Sequence, residues 1–144
     1  MSSEQLELGP VDILVIGFPP DAPRTGESIP LVVDLVDRGI IRILDVLLIQ
    51  KDADGTITEL EINELGAHVE VFAGASTGMI GSEDAAVAGE GLEPGEAAVL
   101  LCFENSWAAP FVTSVMRNGG RVLGFERIPA EDLIETLAAL EAAE

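Results

Sequence analysis

The sequence predicts an α+β domain built as a ferredoxin-like α/β sandwich, with helices on one face of a mainly antiparallel sheet and an amphipathic helix added at the C-terminus. Three observations predict it. Apolar runs of strand length occupy Val11–Phe18, Ile40–Gln50 and Ala97–Glu104, each bounded by Gly, Pro or turn residues. The acidic turn Lys51-Asp52-Ala53-Asp54-Gly55 folds the chain back into a second, alternating strand. Segments of helical period, opened by Ser or Pro and closed by Gly, separate the strands. The order is β-α-β-β, a variable middle, then β-α-β-α.

Taken in order, Val11–Phe18 is a buried strand between Gly9-Pro10 and Pro19-Pro20. A helix begins near Ser28-Ile29-Pro30, where Ser suits the cap and Pro the first turn; its stripe is Val32, Leu35 and Val36, and Gly39 ends it. Ile40–Gln50 is too β-branched and too evenly apolar for a surface helix and reads as a central strand. Thr56–Ile62 alternates as a half-exposed strand paired back on it. The Gly/Ala-rich, acidic segment at about 64–96 is the variable part, with a short strand at Val69–Phe72, small residues from Ala73 to Gly81, and a helix opened by Ser82-Glu83-Asp84. After Ala97–Glu104, Asn105 or Ser106 caps a helix to about Arg117, stopped by Asn118-Gly119-Gly120. Arg121–Arg127 reads as a last strand, and Pro129 starts a helix with Leu133, Ile134, Leu137 and Leu140 on one side.

Length and composition bound the function. A chain of 144 residues, 48% of them hydrophobic, is one domain with a core of its own. Its 26 acidic residues against 7 basic ones give a net charge of −19. Such a field repels nucleic acid and anionic lipid, both of which require phosphate neutralised by Lys and Arg. Between Asp52 and Met116 stand 12 acids and no Lys or Arg, a region that is solvated, paired with a cationic partner, or adapted to salt. The single cysteine, Cys102, lies in an apolar run and is expected to be a buried thiol. No apolar run approaches a membrane span and Met1–Gln5 has no signal-peptide pattern, so a soluble cytosolic protein is expected.

Few positions carry a chemical signal. Asp52, Asp54, Gly55 and Glu61 match part of an EF-hand calcium loop, but Gln50 stands at its first position and strands flank it, so an acidic hairpin turn accounts for the same residues and no metal is expected. Arg24, Thr25 and Ser28 precede a helix N-terminus, where an anion is favoured; the spacing is neither G-x-G-x-x-G nor a P-loop. Asp45 and Glu104 interrupt apolar strands, where a buried carboxylate needs a partner such as Arg42 or Arg121. Glu104, with Asn105 and Trp107 beside it, either lines a ligand pocket or forms a structural ion pair and cap. His68 has no second histidine or nucleophile elbow to work with, and Gly74 and Gly78 form a G-x-x-x-G too short of apolar neighbours to span a bilayer.

Several stretches resemble a small bacterial family of unknown function common in actinobacteria: Leu8-Gly9-Pro10-Val11-Asp12, Leu35 to Asp45, Lys51 to Gly55, Phe103 to Ala108 and Arg127 to Ala130. The resemblance implies no activity; it marks Asp45, Glu104, Asn105 and Trp107 as family-typical. The function expected is therefore a non-enzymatic, self-associating structural or regulatory protein without cofactor. The alternative is a small-ligand domain that binds an anion or a divalent cation. A hydrolase built on Glu104 and His68 is the weakest of the three.

Overall fold

The structure, a computed structural model, describes residues 8–22, 27–62, 72 and 74–143. Its elements are β1 (Val11–Phe18), α1 (Ile29–Asp37), β2 (Arg42–Lys51), β3 (Ile57–Leu60), α2 (Ser82–Glu90), β4 (Ala97–Glu104), α3 (Ala109–Arg117, entered through a 3₁₀ turn at Ser106–Ala108) and α4 (Ala130–Ala142). The four strands form one antiparallel sheet in the order β1-β4-β2-β3. Both β1 and β2 run antiparallel to β4, so they are parallel to each other with β4 inserted between them. By the same logic β3 and β4 are parallel with β2 between them. The two β-α-β units therefore interlock.

The α+β class and the antiparallel sheet are as expected; the ferredoxin-like arrangement is not what this sheet shows. Two corrections account for that. The second β-α-β unit is β3-α2-β4, because Arg121–Arg127 belongs to no strand. Its β-branched and aromatic residues fit a pleated surface, but a strand requires a neighbour, and among the described residues the segment has none. The second correction concerns the layers. Alternate residues of β4 face opposite ways. Ala98, Leu100 and Cys102 pack with Ala85 and Ala88 of α2. Leu101 and Phe103 pack with Ile29, Val32 and Val33 of α1. The helices thus cover the two faces of the sheet, one each, because β4 is apolar at both parities and cannot leave either face wet.

A β-bulge shapes the middle of the molecule. Ile43 pairs with Phe103 and Asp45 with Cys102, leaving Leu44 as the extra residue. The bulge aims Asp45 at the α2 side, and the middle loop is fastened there. Thr77 donates its N–H to the Leu44 carbonyl at 3.2 Å, and Ile80 donates to Asp45 Oδ2 at 2.9 Å. At the far end of β2, Lys51 Nζ donates to the Gly89 and Leu92 carbonyls, each at 3.1 Å. The chain's one lysine therefore caps the electronegative end of α2, while Asp84 accepts the Gly81 N–H at the other end. Gly89 lets α2 lie against β3, since a Cβ there would stand 2.5 Å from Ile57 Cδ1.

The hairpin turn is as predicted: Gly55 has φ 90°, and Asp52 exchanges hydrogen bonds across it with Thr56 and Gly55. The strand after it is shorter than expected, ending at Leu60, and the strand before it starts at Arg42. The strand expected at 69–72 falls mostly outside the described residues; Phe72 is buried against Leu101 and Ile29.

Candidate functional site

Glu104, Asn105 and Trp107 do come together, where β4 ends between the first residues of β1 and β2. Glu104 is 3% exposed. Its Oε2 accepts the Gly9 N–H at 2.7 Å, and its Oε1 accepts from Arg42 Nε at 3.1 Å and from Ser106 Oγ at 3.2 Å. Asn105 Nδ2 donates to the Pro10 carbonyl at 3.0 Å and to Asp12 Oδ2 at 2.8 Å, while its Oδ1 accepts from Trp107 Nε1 at 3.3 Å. The backbone joins in, since Trp107 donates its N–H to the Ile40 carbonyl at 3.1 Å. Gly9 permits the close approach, because a Cβ there would collide with the Asn105 carbonyl.

Both carboxylate oxygens of Glu104 and the whole amide of Asn105 are thus engaged inside the chain. The arrangement ties the segment before β1, the start of β2 and the 3₁₀ turn into one knot. Chemically it is a brace: a buried carboxylate held by a backbone N–H and a guanidinium. The indole ring, by contrast, is largely exposed and reaches solvent beside the brace.

The other predicted positions do not converge. Arg24, Thr25 and His68 lie outside the described residues. Ser28 precedes α1 without a side-chain capping bond. Asp52 Oδ2 accepts from Thr58 Oγ1 at 2.5 Å and Asp54 Oδ1 from the Thr56 N–H at 2.9 Å, so the two acids serve the hairpin turn. The Thr56 amide and then its hydroxyl hold the Asp54 carboxyl below the usual carboxylate range. Glu61 is exposed just past β3. Among the described residues no group of three His, Cys, Asp or Glu is placed to hold a metal ion. Cys102 is 1% exposed, and burial first, then the charges of Asp45 and Asp84, push its thiol pKa up.

Two features escape the sequence reading. The first is a cleft of about 590 Å³ between β2, β3 and the start of α2, lined by Asp45, Leu47, Ile57, Glu59, Ser76 and Ala85 among others. Asp45 in an apolar run was its only signal, and both Asp45 oxygens are already occupied, by the Val46 and Ile80 N–H groups. The second is larger. Val11, Ile13, Leu14, Val15 and Ile16 of β1 are all exposed, on both faces of the sheet edge. Residues 121–129 are exposed throughout, Leu123 to 84%, and no residue of α4 is buried. The expectation of a buried strand at Val11–Phe18 is thus corrected: its apolar run could not reveal this, because an apolar strand looks the same whether its own chain covers it or not.

No helix among the described residues is long and apolar enough to cross a membrane. A search of curated proteins finds no match, and neither does a search of solved structures. A family model does match, over residues 7–143, and by that match the chain belongs to the family of unknown function DUF6325.

Proposed function

We propose that this protein works by self-association, as a non-enzymatic structural or regulatory component of the cytosol. The observation that carries this reading is the apolar surface of β1 and of everything after α3. An isolated soluble domain keeps its largest apolar patch to roughly 300–600 Å². Here the exposed apolar side chains of β1, on both faces, and of residues 122–140 together amount to on the order of 1,000 Å², the scale on which one partner of a stable complex is buried. A net charge of −19 suits a soluble assembly and argues against nucleic acid as the partner. The brace at Glu104 supports a non-enzymatic role, since its polar groups spend their hydrogen bonds on the fold.

Size-exclusion chromatography with light scattering tests the proposal. A dimer or larger assembly at tens of micromolar is expected, and a clean monomer there sinks it. The cleft beside Asp45 favours a second reading, a small-ligand or sensor domain. A thermal-shift screen against inorganic anions, organic acids and divalent cations checks that one, because a ligand that binds only the folded state raises the midpoint. No shift with any of them overturns it.

A further inference from the structure

The uncovered strand and the uncovered C-terminal arm belong to the same chain, and we infer that each completes the other between two copies: residues 121–129 and α4 of one copy lie along β1 of a second, which returns the exchange. This rests on the self-association reading and specifies its interface.

Four observations point to the occupant. First, β1 is an edge strand. Its inner edge pairs with β4 along all eight residues and no strand among the described residues lies on its outer edge, while its side chains stay exposed on both faces. Such an edge is a template for an added strand. Second, Arg121–Arg127 has the composition of that strand and joins no strand ladder among the described residues, although Val122, Leu123 and Phe125 are exposed and available. Third, the charges fit. The extended segment 121–129 carries Arg121 and Arg127 against Glu126, a local net charge of +1 in a molecule of −19, while α4 carries Glu131, Asp132, Glu135 and Glu141 and no base. That locally cationic segment is drawn to an acidic body, and a second copy of the chain is one.

The fourth observation separates exchange from docking on the same chain. Arg127 already meets Asp12 of its own β1, Nη2 to Oδ2 at 2.6 Å, so α4 begins within reach of its own strand. Yet Leu133, Ile134, Leu137 and Leu140 remain exposed. The helix departs from the domain instead of lying on it. Asn118-Gly119-Gly120, with Gly119 at φ 88°, turns the chain out of α3, and the nine residues that follow span up to about 30 Å when extended. That reach suits a swapped arm, and a two-fold axis makes the two exchanges equivalent.

The test uses the full chain with one added cysteine, Val15→Cys at mid-β1 or Leu123→Cys at mid-arm. Both positions are exposed, and native Cys102 is buried, so the wild-type chain treated alike is the blank. Equal amounts of the two variants are mixed, incubated to exchange, and treated with a short bis-maleimide. The double variant is treated in parallel, and light scattering is run on each. The expected result is a dimer in solution, a covalent heterodimer from the mixture, and covalent dimers from the double variant. A dimer whose double variant links within one chain, with no heterodimer from the mixture, overturns the exchange and leaves self-association standing. A dimer that cross-links in neither arm of the experiment does the same. A monomer overturns both.

Discussion

Replacing Glu104 by alanine separates a brace from a binding residue. Three contacts are lost. The Gly9 N–H, buried and 2.7 Å from Oε2, keeps no partner; an unsatisfied buried donor costs about 1–3 kcal/mol. The Arg42 pair adds little, because Arg42 is 57% exposed and an ion pair so solvated is worth roughly 0–1 kcal/mol. Water entering the vacated space recovers part of the first term. The net expectation is a loss of about 2–3 kcal/mol. At about 2.1 cal/mol/K of unfolding entropy per residue, 144 residues lose roughly 3 °C of midpoint per kcal/mol, so Glu104→Ala melts roughly 7–10 °C below the wild type. Arg42→Ala should stay within about 3 °C. Thermal melts and urea titrations at one fixed protein concentration measure both, since the proposed association would make the midpoint depend on concentration. If Glu104→Ala melts with the wild type, or if Arg42→Ala costs as much as Glu104→Ala, the brace assignment fails and Glu104 returns to the list of residues free to bind a ligand.

Other outcomes follow from the same geometry. Lys51→Met keeps the aliphatic stem but strips the Gly89 and Leu92 carbonyls of their donor, and should cost about 1–2 kcal/mol by urea unfolding; an unchanged midpoint means that the lysine does not cap α2. Gly89→Ala gains about 1 kcal/mol of helix propensity and loses roughly 1–3 by driving a methyl into Ile57. It should destabilise by about 1 kcal/mol, with recovery when Ile57→Val removes the colliding Cδ1, and a stabilised single variant contradicts the packing of α2 on β3. The Cys102 thiol should resist Ellman's reagent until the protein unfolds. Because burial raises its folded pKa above that of an exposed thiol, its contribution to stability is intact at neutral pH and falls as the pH rises through the range in which the unfolded thiol ionises; Cys102→Ala should flatten that alkaline loss, and rapid labelling of the native protein counts against the buried site.

Much of the inner architecture was legible because local signals agreed with it. Gly39 and Gly119 stop helices, Gly55 turns a hairpin, and the apolar parity of β4 marks a strand covered on both sides. That parity already argued against helices confined to one face. The bulge at Leu44 was hidden, since a single extra residue leaves no trace in composition, yet it explains why Asp45 sits in an apolar run. The brace was half legible: Glu104 announced a buried carboxylate, but its principal partner is a backbone N–H 95 residues away, which no spacing can reveal. Arg121–Arg127 shows the opposite limit. A strand pattern states what a segment can pair with, and the partner need not lie in the same chain.

The charge and the apolar surface oppose each other, and salt decides between them. Two bodies of −19 repel as they approach, and that repulsion reaches about 30 Å at 0.01 M salt but only about 8 Å at 0.15 M. The apolar burial that would drive the proposed association does not weaken over that range. The Arg127–Asp12 pair beside β1 loses strength with salt, but with Arg127 two-thirds exposed it contributes little to begin with. Long-range repulsion is therefore the larger salt-sensitive term, and self-association should tighten as salt rises from 0.01 to 0.15 M. Sedimentation equilibrium across that range measures it. Weakening with salt would mean that the arm is held by its arginines and not by its apolar residues, and the interface drawn from β1 and α4 would have to be abandoned for one made of charge.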